Sequence, residues 1–188
     1  MGKRIFTNDA WEELAREGEI LSYGTYHKYR LPDGSVNPDF RKDIISGLIL
    51  DVKEKKERAL NYFYNALSGE IEKGVAICVV PSHSAGNTNQ SGIAILARRL
   101  ASSENRIDMV DYILRSETID KLATGGERSM DIQKKTLAVN PELPIADNVI
   151  LVVDDVSTSG NSLMACRDLL LENGAERVAM FALGKSIL

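Results

Sequence analysis

The chain has 188 residues, of which 44% are hydrophobic and 27% charged, with a net charge of −4 and a pI near 5.3. Those values support one domain with a sizeable core and room for a small appendage. The acidic balance argues against a dedicated nucleic-acid binder, and no apolar run approaches the length needed to span a bilayer.

The charged start MGKRIFTNDAWEE lacks the apolar stretch of a signal peptide. Asn8 or Asp9 is placed to cap a short helix through Trp11, Leu14 and Ala15, ending near Gly18. Ile20 to Leu31 carries Tyr23, Tyr26 and Tyr29 and is broken by Gly24, which predicts short strands or a hairpin, with His27 as a packing residue. Pro32-Asp33-Gly34 is a turn signal. From Asp39 to Leu67 an apolar helical period (Phe40, Ile44, Leu48, Val52, Leu60, Phe63) predicts one long helix or two. Lys53, Lys55, Lys56 and Arg58 alternate with Asp51, Glu54 and Glu57, the pattern of a solvated helix face.

An α/β core is expected from Gly74 onward. Val75 to Val80 predicts a strand, Pro81 to Thr88 (PSHSAGNT) a loop, and Ile93 to Ala101 a helix. Val110 to Leu114 predicts the next strand, and Arg115 to Lys135 is a polar segment containing Gly125-Gly126. Thr136 to Val139, Val149 to Val153 and Val178 to Leu183 complete the apolar runs, with a helix from Leu163 to Leu171. Strands alternating with helices predict an open, mainly parallel twisted sheet, covered by helices on both faces. Cys78 and Cys166 lie in apolar patterns without partners at metal-ligand spacing, as expected of buried thiols in a reducing cytoplasm.

The segment VILVVDDVSTSGNS, residues 149–162, is the most informative. A buried-strand pattern runs into Asp154 and Asp155, then into the turn Thr158-Ser159-Gly160-Asn161-Ser162, and a helix opens at once. In open α/β sheets ligands bind where strands end and helices begin. Free amides at the helix start, the hydroxyls of Thr158, Ser159 and Ser162, and Gly160 allowing close approach suit a phosphate monoester. The carboxylates suit a polyol or a Mg²⁺ beside it. The segment Pro81 to Thr88 repeats the logic, with Ser82, Ser84, Gly86 and Thr88 placed to present amides and hydroxyls to an anion.

On these residues the chain resembles the type I phosphoribosyltransferases, whose signature is a hydrophobic strand, two acids, two variable residues and a Thr/Ser-Gly-x-Ser/Thr turn. The resemblance covers roughly residues 74–188. It implies that Asp154 and Asp155 hold the ribose hydroxyls of phosphoribosyl pyrophosphate (PRPP), directly or indirectly with Mg²⁺. It places the 5′-phosphate on Thr158, Ser159, Gly160, Asn161 and Ser162, and pyrophosphate on Ser82, His83, Ser84, Ala85 and Gly86. Asn89-Gln90 followed by Ala94, Leu96, Ala97, Leu100 and Ala101, and Glu127-Arg128 ahead of the next strand, are similar to the ComF-like (competence-associated) branch. That branch often carries an amino-terminal Cys₄ zinc module, which this chain lacks. Residues 1–73 are therefore expected to form a hood over residues 74–188, selecting the acceptor.

The expected activity is Mg²⁺-dependent transfer of ribose 5-phosphate from PRPP to a nitrogen nucleophile, a nucleobase or an amine, with a homodimer as an expected assembly. Asp154, Asp155 and Arg128 are the candidate catalytic residues. Ser116 to Lys135, hinged at Gly125-Gly126 and flanked by Arg115, Arg128, Lys134 and Lys135, is expected to close over the ligand. Thr158 stands where 6-oxopurine salvage members have a proton-handling Asp, which argues against hypoxanthine or guanine as acceptor. A non-catalytic PRPP- or nucleotide-sensing regulator on the same pocket, or an accessory protein on the same fold, is the alternative. Gly184-Lys185-Ser186 is no P-loop, because Ala179 stands where the first glycine is needed.

Overall fold

Local chemistry sets the amino-terminal elements. Helix α1 (Asp9–Glu17) begins where the Asn8 side chain accepts from the Trp11 amide and ends at Gly18, whose φ of 81° turns the chain into a left-handed cap. Strand β1 (Ile20–Tyr26) follows. The computed structural model describes residues 2–83, 89–117, 130–143 and 145–187, without the side chain of Asp131.

Of the short strands or hairpin expected over 20–31, a strand forms and a hairpin does not. Strand β1 instead pairs parallel with the last strand of the chain, Ile20 facing Met180 and Tyr26 facing Ser186. A small turn at Pro32-Asp33-Gly34 does form, closed by a bridge between Arg30 and Val36. The helical stretch after it splits into α2 (Pro38–Lys42), α3 (Ile44–Lys53) and α4 (Glu57–Leu67). Asp43 causes the first break by leaving helical geometry and accepting from the Ile45 and Ser46 amides. Lys55, at φ 59°, makes the second.

Beyond residue 74 come β2 (Ala76–Val79), α5 (Gly92–Ala101), β3 (Ile107–Asp108), β4 (Ile113–Arg115), α6 (Met130–Lys135) and β5 (Leu137–Val139). They are followed by β6 (Val149–Ser157), α7 (Asn161–Glu172) and β7 (Arg177–Ser186). The predicted strand over 110–114 is displaced. Val110 and Tyr112 are buried in a turn, where the Asp108 side chain accepts from the Val110 amide and the Tyr112 amide donates to Met109. Residues Ile113–Arg115 pair antiparallel with β5, outside the main sheet.

The main sheet has the order β1-β7-β6-β2-β3 and every pairing in it is parallel, giving the expected open sheet flanked by helices. It crosses the boundary drawn at residue 73, because β1 joins it from the amino-terminal side. Alternation along the strands divides the core. Leu151 and Val153 pack with α3, α4 and α5 residues such as Ile49, Phe63 and Leu96, whereas Ile150 and Val152 pack with α7 residues Leu163, Cys166 and Leu170. The crossovers from β2 through α5 and from β6 through α7 thus cover opposite faces and run in opposite directions along the sheet. Their divergence opens a crevice at the carboxyl ends of β2 and β6, the switch point where such sheets bind ligands.

Candidate functional site

A cleft of about 740 Å³ occupies that crevice, within the size range of small-molecule sites. Asp154, Asp155, Thr158, Ser159, Gly160, Asn161 and Ser162 line it from β6 and the start of α7; Ser82 and His83 line it from the end of β2. Ser84, Ala85, Gly86 and Arg128 lie outside the described residues, as do Gly125-Gly126 and Glu127. The cleft is further lined by Tyr26, Lys28, Lys53, Arg115, Gln133 and Ser186.

The acid pair is not one bidentate cluster. Strand β6 continues through Ser157, so Asp154 and Asp155 leave it on opposite faces. Asp155 turns toward α3, where its Oδ1 lies 3.1 Å from Lys53 Nζ. Asp154 lies on the α7 side, where its charge helps raise the pKa of Cys166 after the larger effect of burial. Its Oδ1 accepts from the Asp155 amide at 2.8 Å. Both thiols are fully buried; burial pushes Cys78 up to about 12 and Cys166 well above its ordinary value, so neither serves as a nucleophile.

The turn after β6 leads directly into α7, and its glycine has a packing reason. Thr158 and Ser159 are exposed, and α7 opens with no side-chain cap and no acid in its first turn. Its first turn therefore lies at the cleft with the positive end of the helix dipole, the Asn161 amide donating to Ser159 Oγ at 3.5 Å. Gly160 is needed at φ 81°, and a Cβ there would stand 2.4 Å from Ile20 Cδ1. The glycine makes room for β1 packing. A Gly160→Val change therefore strains the fold itself, contrary to a purely ligand-facing reading.

Arg115 was visible in sequence only as a loop-flanking cation. In the fold it is buried at 8% exposure on β4 and lines the cleft. Its Nε donates to the Ser82 carbonyl at 3.2 Å, Nη1 to Thr136 Oγ1 at 2.7 Å and Nη2 to Gln133 Oε1 at 3.2 Å. Burial lowers its pKa from the ordinary value, yet it makes no ion pair among the described residues. A guanidinium held by neutral acceptors keeps its charge available to an anion in the cleft. Lys134 does not line the cleft among the described residues; its Nζ lies 2.7 Å from Asp168 on α7. Asn89 is structural, donating to the Val110 carbonyl at 2.8 Å from a buried position.

Lys53 belongs to the stretch expected to be solvated. Lys56 does behave that way, paired with Asp51 and Glu54; Lys53 is exposed too, with its side chain at 38%, yet it also reaches over the Tyr26 ring, 5.7 Å from its centroid. No sequence signal marks this contact, because it depends on α3 lying beside β6. The donor set is hard oxygen, which suits Mg²⁺. No cluster of three His, Cys, Asp or Glu able to hold a metal occurs among the described residues. A Mg²⁺ here would take most of its oxygens from substrate and water, as this ion usually does.

No family model matches the chain, and no curated protein matches it. Among solved structures it is similar to a hypoxanthine phosphoribosyltransferase from Staphylococcus aureus, at 12% identity over 74% of each chain and a TM-score of 0.39. It is also similar to an alanine mutant made at an invariant aspartic acid of HPRTs, at 11% identity over 76% of this chain and 78% of that one, TM-score 0.40. The strand order, not these likenesses, carries the fold described here. No described helix is long and apolar enough to cross a membrane.

Proposed function

We propose that the chain is a Mg²⁺-dependent phosphoribosyltransferase of the ComF-like type, moving ribose 5-phosphate from PRPP to a ring or amine nitrogen. The observation that supports it most is convergence. A helix start with three hydroxyls, two carboxylates and a buried arginine meet in one cleft at the switch point. In this reading the α7 amides with Thr158, Ser159 and Ser162 receive the 5′-phosphate, and Asp154 and Asp155 accept from ribose hydroxyls. Arg115 faces the pyrophosphate together with the loop from Ser82 to Gly86.

The nitrogen lone pair forms a bond to the anomeric carbon as the bond from that carbon to the pyrophosphate oxygen breaks, and the electron pair leaves with pyrophosphate. Charge builds on the leaving group, so a preorganised cation held without reorganisation accelerates the step. Mg²⁺, when bound, neutralises part of the same charge. Residues near Tyr26 and Lys28 form the acceptor side of the hood, and Arg128 is the further candidate catalytic residue. Thr158 cannot take a proton as a general base, so the acceptor is not a 6-oxopurine. A homodimer in a reducing cytoplasm is the setting we propose.

The test is a screen of nucleobases and amines with PRPP and Mg²⁺, read as pyrophosphate release, beside calorimetric titration of PRPP. Turnover lost in a folded Asp154→Asn, Asp155→Asn double mutant supports the enzyme. PRPP binding with no acceptor turning over points to the sensing regulator, and no PRPP binding at all sinks both.

A further inference from the structure

We infer that Lys53 is the built-in counter-cation of the acid pair, reserving Asp155 for a substrate hydroxyl and leaving the metal-facing role to Asp154. The inference rests on the reading of the cleft as a sugar-phosphate site.

Two attractions fix the ammonium group. It lies 3.1 Å from Asp155 Oδ1 and over the face of Tyr26, whose quadrupole favours a cation. The backbone beneath it is equally constrained. Gly92, the first residue of α5, packs so tightly on Val52 that a Cβ would stand 1.7 Å from the Val52 carbonyl oxygen. Val52 itself is fully buried. Lys53, the next residue, is thus delivered to the cleft by packing between α3 and α5 rather than by its own flexible stem.

Its charge answers a specific problem. A phosphorylated sugar brings several negative charges to a cleft that already holds two adjacent carboxylates, and like charges at this distance repel. Lys53 cancels one of them without a metal. Its contact is with Oδ1 of Asp155 at 3.1 Å, and an ionised carboxylate has acceptor capacity for more than one donor, so Asp155 can still take a hydroxyl. Opposite projection of the two acids from β6 makes the division of labour geometric: the α3 face carries the lysine, and the α7 face carries Asp154.

The test uses ribose 5-phosphate and Mn²⁺ as probes on the full chain. Wild type should bind ribose 5-phosphate in EDTA. Lys53→Gln should weaken that binding by about tenfold, the scale of one charge-assisted contact. Adding Mn²⁺ should recover part of it, and paramagnetic titration should show tighter Mn²⁺ binding by the ligand-free variant than by wild type. Lys53→Arg should keep both wild-type properties, and adding Asp155→Asn to Lys53→Gln should remove the Mn²⁺ gain. Thermal unfolding confirms that each variant is folded; a merely structural lysine would lower stability without altering Mn²⁺ affinity. Lys53→Gln within twofold of wild type for both probes overturns the inference while the sugar-phosphate reading stands. Wild type that binds no ribose 5-phosphate, with or without Mn²⁺, overturns both.

Discussion

Gly92→Ala should destabilise the protein severely for so small a change. The new methyl would start 1.7 Å from the Val52 carbonyl oxygen. Backbone oxygen cannot rotate aside, so α3 and α5 must separate by about 1.3 Å to reach even a tight contact near 3.0 Å. Overpacking of this kind costs roughly 1–3 kcal/mol or more. For a chain of this size that lowers Tm by roughly 2–12 °C. A matched control reverses the sign. Gly47 lies inside α3 with nothing within 4 Å of a Cβ, so Gly47→Ala should stabilise by roughly 0.5–1 kcal/mol through helix propensity. Urea denaturation of the three proteins, with ribose 5-phosphate titration alongside, gives the answer. Because Val52 carries Lys53 into the cleft, Gly92→Ala should also weaken ligand binding, and Gly47→Ala should not. A Gly92→Ala protein as stable as wild type would refute the argument that this close approach holds α3 in place.

Arg115→Met should cut pyrophosphate affinity by at least about tenfold and cost about 1–3 kcal/mol, because Gln133 Oε1 and the Ser82 carbonyl lose a donor; calorimetry showing unchanged pyrophosphate binding removes Arg115 from the site. Gly160→Ala should lose stability from its φ of 81° and from the contact with Ile20, and adding Ile20→Ala should restore only the steric part in a thermal-shift comparison. Glu12 gives the acid dependence. Desolvation raises its pKa, but hydrogen bonds from Arg177 and from the Ile5 and Phe6 amides outweigh this and bring it to about 2 from the ordinary 4.5. A lowered carboxyl pKa stabilises above the unfolded value, and that stabilisation is lost as pH falls through the folded one. The stability gap between wild type and Glu12→Gln should therefore shrink by on the order of 3 kcal/mol between pH 5 and pH 2, and a constant gap across that window would contradict the assignment.

Where local pattern and fold agreed, the sequence was readable. The run from Val149 to Ser162 announced a buried strand, an acid pair and a helix opening after a glycine turn, because each depends on neighbours along the chain. Asn8 and Gly18 marked α1 for the same reason. Partners distant in sequence were not readable. Nothing in Ile20 to Tyr26 states that its partner is Met180 to Ser186. Nothing in the charged stretch around Lys53 separates a lysine facing Asp155 from one facing water. The run at 110–114 misled because buried turn residues imitate a strand when burial, not extension, is what apolar residues report. Arg115 was legible only as a loop-flanking cation because its three neutral acceptors come from two segments, one at Ser82 and one at Gln133 to Thr136.

The pairing of β1 with β7 has a consequence for how the chain is made. At ribosomal rates of roughly 5–20 residues per second, Ile20 waits about 10–30 s for Met180 to emerge. Throughout that interval a strand bearing Leu21, Tyr23 and Tyr26 has neither its hydrogen-bonding neighbour nor the floor on which those side chains rest. Synthesis therefore passes through a stage with an incomplete sheet and an apolar ribbon in need of protection. Truncation ahead of β7 would leave that ribbon permanently unpaired, turning a late step of assembly into a route to aggregation.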